Sequence, residues 1–116
     1  MNDCQFAQTV LMIAGKKIDF GHNIFDVYPF ANALVVHLLD RPTSAKGVNL
    51  REQPEDNVYV LNKNGDIHRR INEITGASDL YVSVAVAGDE LIVTNLSGIQ
   101  YHIDRHWQVV GHSWTK

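Results

Sequence analysis

Histidine and aspartate crowd one stretch of the chain, His102-Ile103-Asp104-Arg105-His106. On an extended strand, positions 102, 104 and 106 share a face, with about 7 Å between neighbours. Imidazole and carboxylate are ordinary ligands for zinc and related divalent cations. His102, Asp104 and His106, with His112 as a fourth, are therefore the chain's best metal-binding pattern. The competing reading is local. Arg105-His106 has the character of a turn, which takes the three side chains off a common face and leaves them as polar groups on a solvated hairpin. No metal is assigned on this pattern, and no cofactor is expected.

Nucleophilic or acid–base chemistry has less to work with. Ser83, Ser97, Ser113, Cys4 and six histidines offer combinations that any chain of this length offers. There is no Gly-x-Ser-x-Gly elbow, no His-Glu-x-x-His and no Gly-x-Gly-x-x-Gly. Cys4 is the single cysteine, so neither an internal disulfide nor a multi-cysteine zinc site is available. His37 lies within the apolar run Ala33–Leu39 and reads as a core or strand-face histidine rather than a ligand. An enzyme is not expected.

Charge says more about partners. The 116 residues carry 10 Lys+Arg and 13 Asp+Glu, a net charge of −3. Nucleic-acid binding wants clustered cations with exposed aromatics. The nearest cluster, Lys63, Arg69 and Arg70, is balanced by Asp66 and Glu73, so no nucleic-acid partner is expected. The small total hides an uneven map. Residues 1–70 are neutral, whereas residues 71–104 hold Glu73, Asp79, Asp89, Glu90 and Asp104 with no Lys or Arg. Acids at strand ends attract basic partners and speed their docking, and they also keep sheet edges apart.

These residues must be positioned by strands. Leu80, Val82, Val84 and Val86 alternate with smaller or polar residues, the period of a half-buried strand. Gly88-Asp89, Ser97-Gly98 and Arg105-His106 then separate Leu91–Leu96, Ile99–Ile103 and Trp107–Trp114, which predicts a four-stranded antiparallel meander over residues 80–114. Upstream, Val58–Leu61 and Ile67–Ile71 flank Asn64-Gly65, the dipeptide of a type I′ hairpin turn. Ala33–Leu39 and Asn23–Tyr28 are further strands, separated by Pro29, and residues 10–13 and 17–20 form an N-terminal hairpin. Helix signals are short, over 44–50 or 72–77. Asp40–Asp56 is the one long irregular segment, a loop of the length that often carries function. Val58, Val60, Asn62 and Gly65 are echoed 33 residues later by Leu91, Val93, Asn95 and Gly98, as if one strand–turn–strand unit were used twice.

A hydrophobic content of 45% and this length suit one globular domain, residues 1–116. The expected fold is all-β, an antiparallel meander or sandwich of about seven to nine strands resembling part of a β-propeller, with exposed edges or a homodimer. The N-terminal residues lack a signal-peptide pattern and Thr9–Ala14 is too short to span a bilayer, so a cytoplasmic chain with no membrane partner is expected.

Two stretches carry a resemblance: Asn57–Ile71 (NVYVLNKNGDIHRRI) and Gly88–Asp104 (GDELIVTNLSGIQYHID) look like propeller-type blade hairpins. In size and texture, residues 20–112 resemble the small all-β immunity proteins of bacterial contact-dependent growth inhibition and related polymorphic toxin systems. The resemblance implies tight binding to a cognate toxin domain, often a nuclease, and occlusion of its active site. The charge map supplies the contacts expected of a basic partner: Glu52, Glu55, Asp56, Asp79, Asp89, Glu90 and Asp104.

Overall fold

The computed structural model describes residues 5–39, 57–77 and 80–114. Within them the chain is all-β apart from one short helix. Strands β1 (Gln5–Ala7), β2 (Val10–Ile13) and β3 (Lys16–Asp19) form a first sheet. Strands β4 (Ile24–Phe30), β5 (Ala33–Leu38), β6 (Val58–Leu61) and β7 (Ile67–Arg70) form a second. Helix α1 (Ile71–Thr75) follows, and β8 (Tyr81–Ala87), β9 (Glu90–Asn95), β10 (Ile99–Ile103) and β11 (Val109–Trp114) form a third. Every neighbouring pair is antiparallel and consecutive in sequence, so each sheet is an up-and-down meander. The described residues thus hold eleven strands, more than the seven to nine expected, in three sheets.

The second sheet is the middle layer. Leu34, Val36 and Leu38 of β5 join Leu11, Ile13, Ile24 and Leu61 in a core against the first sheet. Ala33 and Val35 of the same strand join Val58, Val60, Tyr81, Val84, Leu91, Val93 and Ile103 in a core against the third. All six residues of β5 are buried. That is why Ala33–Leu38 is apolar at every position but His37: a strand covered on both faces has no solvent side to fill with polar residues.

Two turn assignments change. Pro29 does not separate two strands. It lies inside β4, paired with Leu34, and the chain reverses at Ala31-Asn32. β4 is an edge strand, where a missing N–H removes no ladder bond. Asn64-Gly65 is not a type I′ turn. Only Gly65 has positive φ (+87°), and its N–H donates to the Asn62 carbonyl at 3.0 Å. The true pairs of positive-φ residues are Ala14-Gly15 (51°, 76°) and Ala31-Asn32 (49°, 61°). The short helix predicted over 72–77 forms one residue earlier, and Gly76 closes it at φ 76°. The helix signal over 44–50 and the Asp40–Asp56 loop lie outside the described residues. No helix among the described residues is long and apolar enough to cross a membrane.

Candidate functional site

The second and third sheets are joined by a polar knot that the sequence barely signals. Asn57, fully buried, donates from Nδ2 to the Leu38 carbonyl (2.9 Å) and the Tyr81 carbonyl (2.7 Å), and its Oδ1 accepts from the Tyr81 N–H (2.9 Å). His37 Nε2 donates to the same Tyr81 carbonyl at 2.8 Å. Its Nδ1 is buried with no partner, and burial holds the ring's pKa below 6.5. His37 is thus a core histidine that docks β8 on the middle sheet, as its apolar setting suggests.

The four-residue polar cluster does not assemble. His102 lies opposite Ile92 and Gly111, on the outer face of the third sheet. His112 pairs with Tyr101 on the other face, their rings 6.3 Å apart. His106 is exposed in the β10–β11 connection. Asp104 is already used: its Oδ1 accepts the backbone N–H of His106 at 2.9 Å and of Gln108 at 3.0 Å. Arg105-His106 does turn the chain, and the common face is lost. No group of three metal-ligating side chains occurs among the described residues.

The acidic positions fare differently. Glu52, Glu55, Asp56 and Asp79 lie outside the described residues. Asp89 occupies the β8–β9 turn, Glu90 opens β9, and Asp104 opens the β10–β11 connection. In an antiparallel meander alternate connections fall at one end, so all three acids share the same end of the third sheet. Glu90 is turned onto the outer face, where Oε1 accepts from His102 Nδ1 at 2.9 Å. The imidazole is also 3.2 Å from Gln100 Oε1. Ser83 and Ala85 of β8, Thr94 of β9 and Gly111 of β11 share that face.

The last strand completes this surface. Among the described residues β11 hydrogen-bonds to β10 alone, and no strand pairs with its other edge. It carries Val109, Val110 and Trp114 at 37, 56 and 67% exposure and no Lys, Asp, Glu or Pro within Val109–Trp114. Those are the residues that edge strands ordinarily use to discourage pairing. The sequence shows β11 as a strand; that it ends the sheet is a property of the topology.

The fold and this surface define an all-β protein of three stacked antiparallel meanders, with an open apolar edge beside an acidic end. More particularly, the chain belongs to the family described as Domain of unknown function (DUF7957), whose model matches residues 1–110. No curated protein and no solved structure matches it.

Proposed function

We propose that the protein works by binding another protein, in the manner of the immunity proteins it resembles: it covers the active site of a cognate, basic toxin domain. The observation that carries this reading is the open edge of β11, with Val110 and Trp114 exposed beside it. An unpaired edge offers backbone donors and acceptors to a partner strand, and exposed aromatics are the residues that most often anchor interfaces. Asp89 and Glu90, at one end of the same sheet, supply charge that steers a basic partner into register. A second copy of the chain is the alternative occupant, because the same edge lacks charges that would stop it pairing with itself.

The test pairs the purified protein with any candidate toxin domain found encoded by a neighbouring gene. Saturable binding and loss of toxin activity are expected. Asp89→Lys with Glu90→Lys should slow association about tenfold at low salt and flatten its salt dependence. Val110→Pro should raise the dissociation rate instead. Unchanged kinetics in both variants would remove this surface from the interface. A homodimer broken by Val110→Pro, with no toxin bound, would favour the second occupant.

A further inference from the structure

We propose that the groove between β7 and the β10–β11 connection binds a small planar aromatic anion. Its volume is about 600 Å³, within the range of about 300–1,000 Å³ usual for small-molecule sites. Arg69 and Glu73 line it from the second sheet and helix α1, with Ile74 behind them, and Trp107 and Val109 close it from the third sheet. It is built where two layers meet, it adjoins the proposed partner edge at Val109, and it rests on different residues, Arg69 and Trp107.

The first observation is a guanidinium without a counter-charge. Arg69 lies opposite Val60, and Val60 is buried in the core between the second and third sheets. Cross-strand partners share a face, so Arg69 leaves β7 toward the third sheet and is half-buried there. Among the described residues its polar partner is an imidazole, His68 Nε2 at 3.2 Å, and it makes no ion pair. The nearby carboxylate, Glu73, is 3.8 Å from Arg70 instead. A partly desolvated cation that hydrogen-bonds to a neutral acceptor retains donors suited to a carboxylate or phosphate.

The second observation is a strained indole. Three connections in this chain are built alike. Asn62, Asn95 and Asp104 each accept, at the main-chain carbonyl, the N–H three residues on, at 3.0, 3.1 and 3.0 Å. Each side-chain oxygen accepts the N–H four residues on, at 3.1, 2.9 and 3.0 Å. The third residue after each Asx is left-handed: Gly65 at φ 87°, Gly98 at φ 94° and Trp107 at φ 62°. Two turns use the residue that this conformation favours, and the third uses one of the bulkiest. Bulky residues in left-handed backbone are rare and concentrate where a side chain must be held for function. Trp107 is held by an edge-on contact with Phe30, ring centres 5.4 Å apart, and its indole lines the groove. A tryptophan and an arginine lining one groove together suit a flat ring with an anionic head.

Phenyl phosphate is the probe that joins the two halves, with inorganic phosphate and benzyl alcohol as the halves apart and benzoate to separate a carboxylate head from a phosphate one. Trp114→Phe leaves Trp107 as the sole tryptophan reporter, and amide shifts in the unmutated protein locate the site without any substitution. Phenyl phosphate or benzoate should quench Trp107 saturably, shift the amides of residues 68–69 and 107–109, and bind about tenfold or more tightly than either half. Arg69→Gln should weaken that binding about tenfold or more. Lys17→Gln, on the first sheet, should leave it unchanged. Inorganic phosphate binding as well as phenyl phosphate, binding unaffected by Arg69→Gln, or no saturable shift at these amides would each overturn the proposal.

Discussion

Asn57 and His37 show how much depends on single polar groups in this core. Asn57→Ala removes the partners of the Leu38 carbonyl, the Tyr81 carbonyl and the Tyr81 N–H, although His37 still reaches the Tyr81 carbonyl. The Leu38 carbonyl and the Tyr81 N–H each lose a buried hydrogen bond, a loss of about 1–3 kcal/mol apiece. The variant should lose about 3 kcal/mol, read from the urea midpoint at constant slope. His37 makes stability depend on pH. Burial lowers its pKa from 6.5, outweighing the Tyr81 carbonyl and the Asp26 charge, which raise it. Below pH 6.5 the unfolded chain takes up a proton that the folded ring refuses. The His37 contribution is therefore complete above pH 6.5 and falls as pH drops toward the folded value, at up to about 1.4 kcal/mol per pH unit. Urea midpoints between pH 7.5 and 5 should fall in the parent and fall less in His37→Gln. Equal slopes in the two proteins would show that His37 is not the group responsible. Neither role is visible in sequence. An Asn before a strand reads as turn chemistry, and a His in an apolar run shows burial without its partner.

Turns set the register of these sheets, and their chemistry was only half legible. Asn64-Gly65 was readable as a hairpin, but the dipeptide does not distinguish a two-residue turn from a longer turn closed by Gly. The Asn62 side chain decides it by accepting from both Asn64 and Asp66 at 3.0 and 3.1 Å. The echo at an offset of 33 is a repeat of turn geometry, and its third copy is not legible in sequence because Trp107 stands at the position that Gly65 and Gly98 occupy in the other two. Pro29 misled for the converse reason: proline is a breaker only where its N–H is needed, and β4 is an edge. Gly65 carries a second constraint. A Cβ there would lie 2.9 Å from Ile13 Cγ2, on the first sheet. Gly65→Ala should therefore cost about 2 kcal/mol, from left-handed strain and the displaced Ile13. Gly15→Ala has comparable strain at φ 76° but nothing within 4 Å of the added carbon, and should cost less. Parallel thermal or urea melts decide the order, and equal losses would mean that contact with the first sheet contributes nothing.

At the scale of the molecule, the decisive feature is that one strand belongs to two cores. Alternation identified the strands of residues 80–114, because a half-buried strand advertises its inner face. It could not say which sheet faces which, because the apolar run of β5 looks the same whether its second face meets another sheet or a partner. In the structure both faces are used: Leu34 packs toward the first sheet and Val35 toward the third. If β5 couples the layers, damage to one core must be felt in the other. Leu34→Ala should cost about 3 kcal/mol. Both tryptophans lie in the third sheet or its connections, across β5 from Leu34. Their fluorescence should nonetheless report the full loss, with a midpoint coincident with that from far-ultraviolet circular dichroism. A fluorescence midpoint left at the parent value while circular dichroism moves would mean that the sheets unfold separately. The third sheet would then carry the β11 edge as an autonomous unit, whereas the Trp107 groove, which needs Arg69 of β7, would be lost with the second sheet. Coincident loss would instead make β5 the element through which all three meanders stand or fall together, and would make the exposed β11 edge only as durable as a core two layers away.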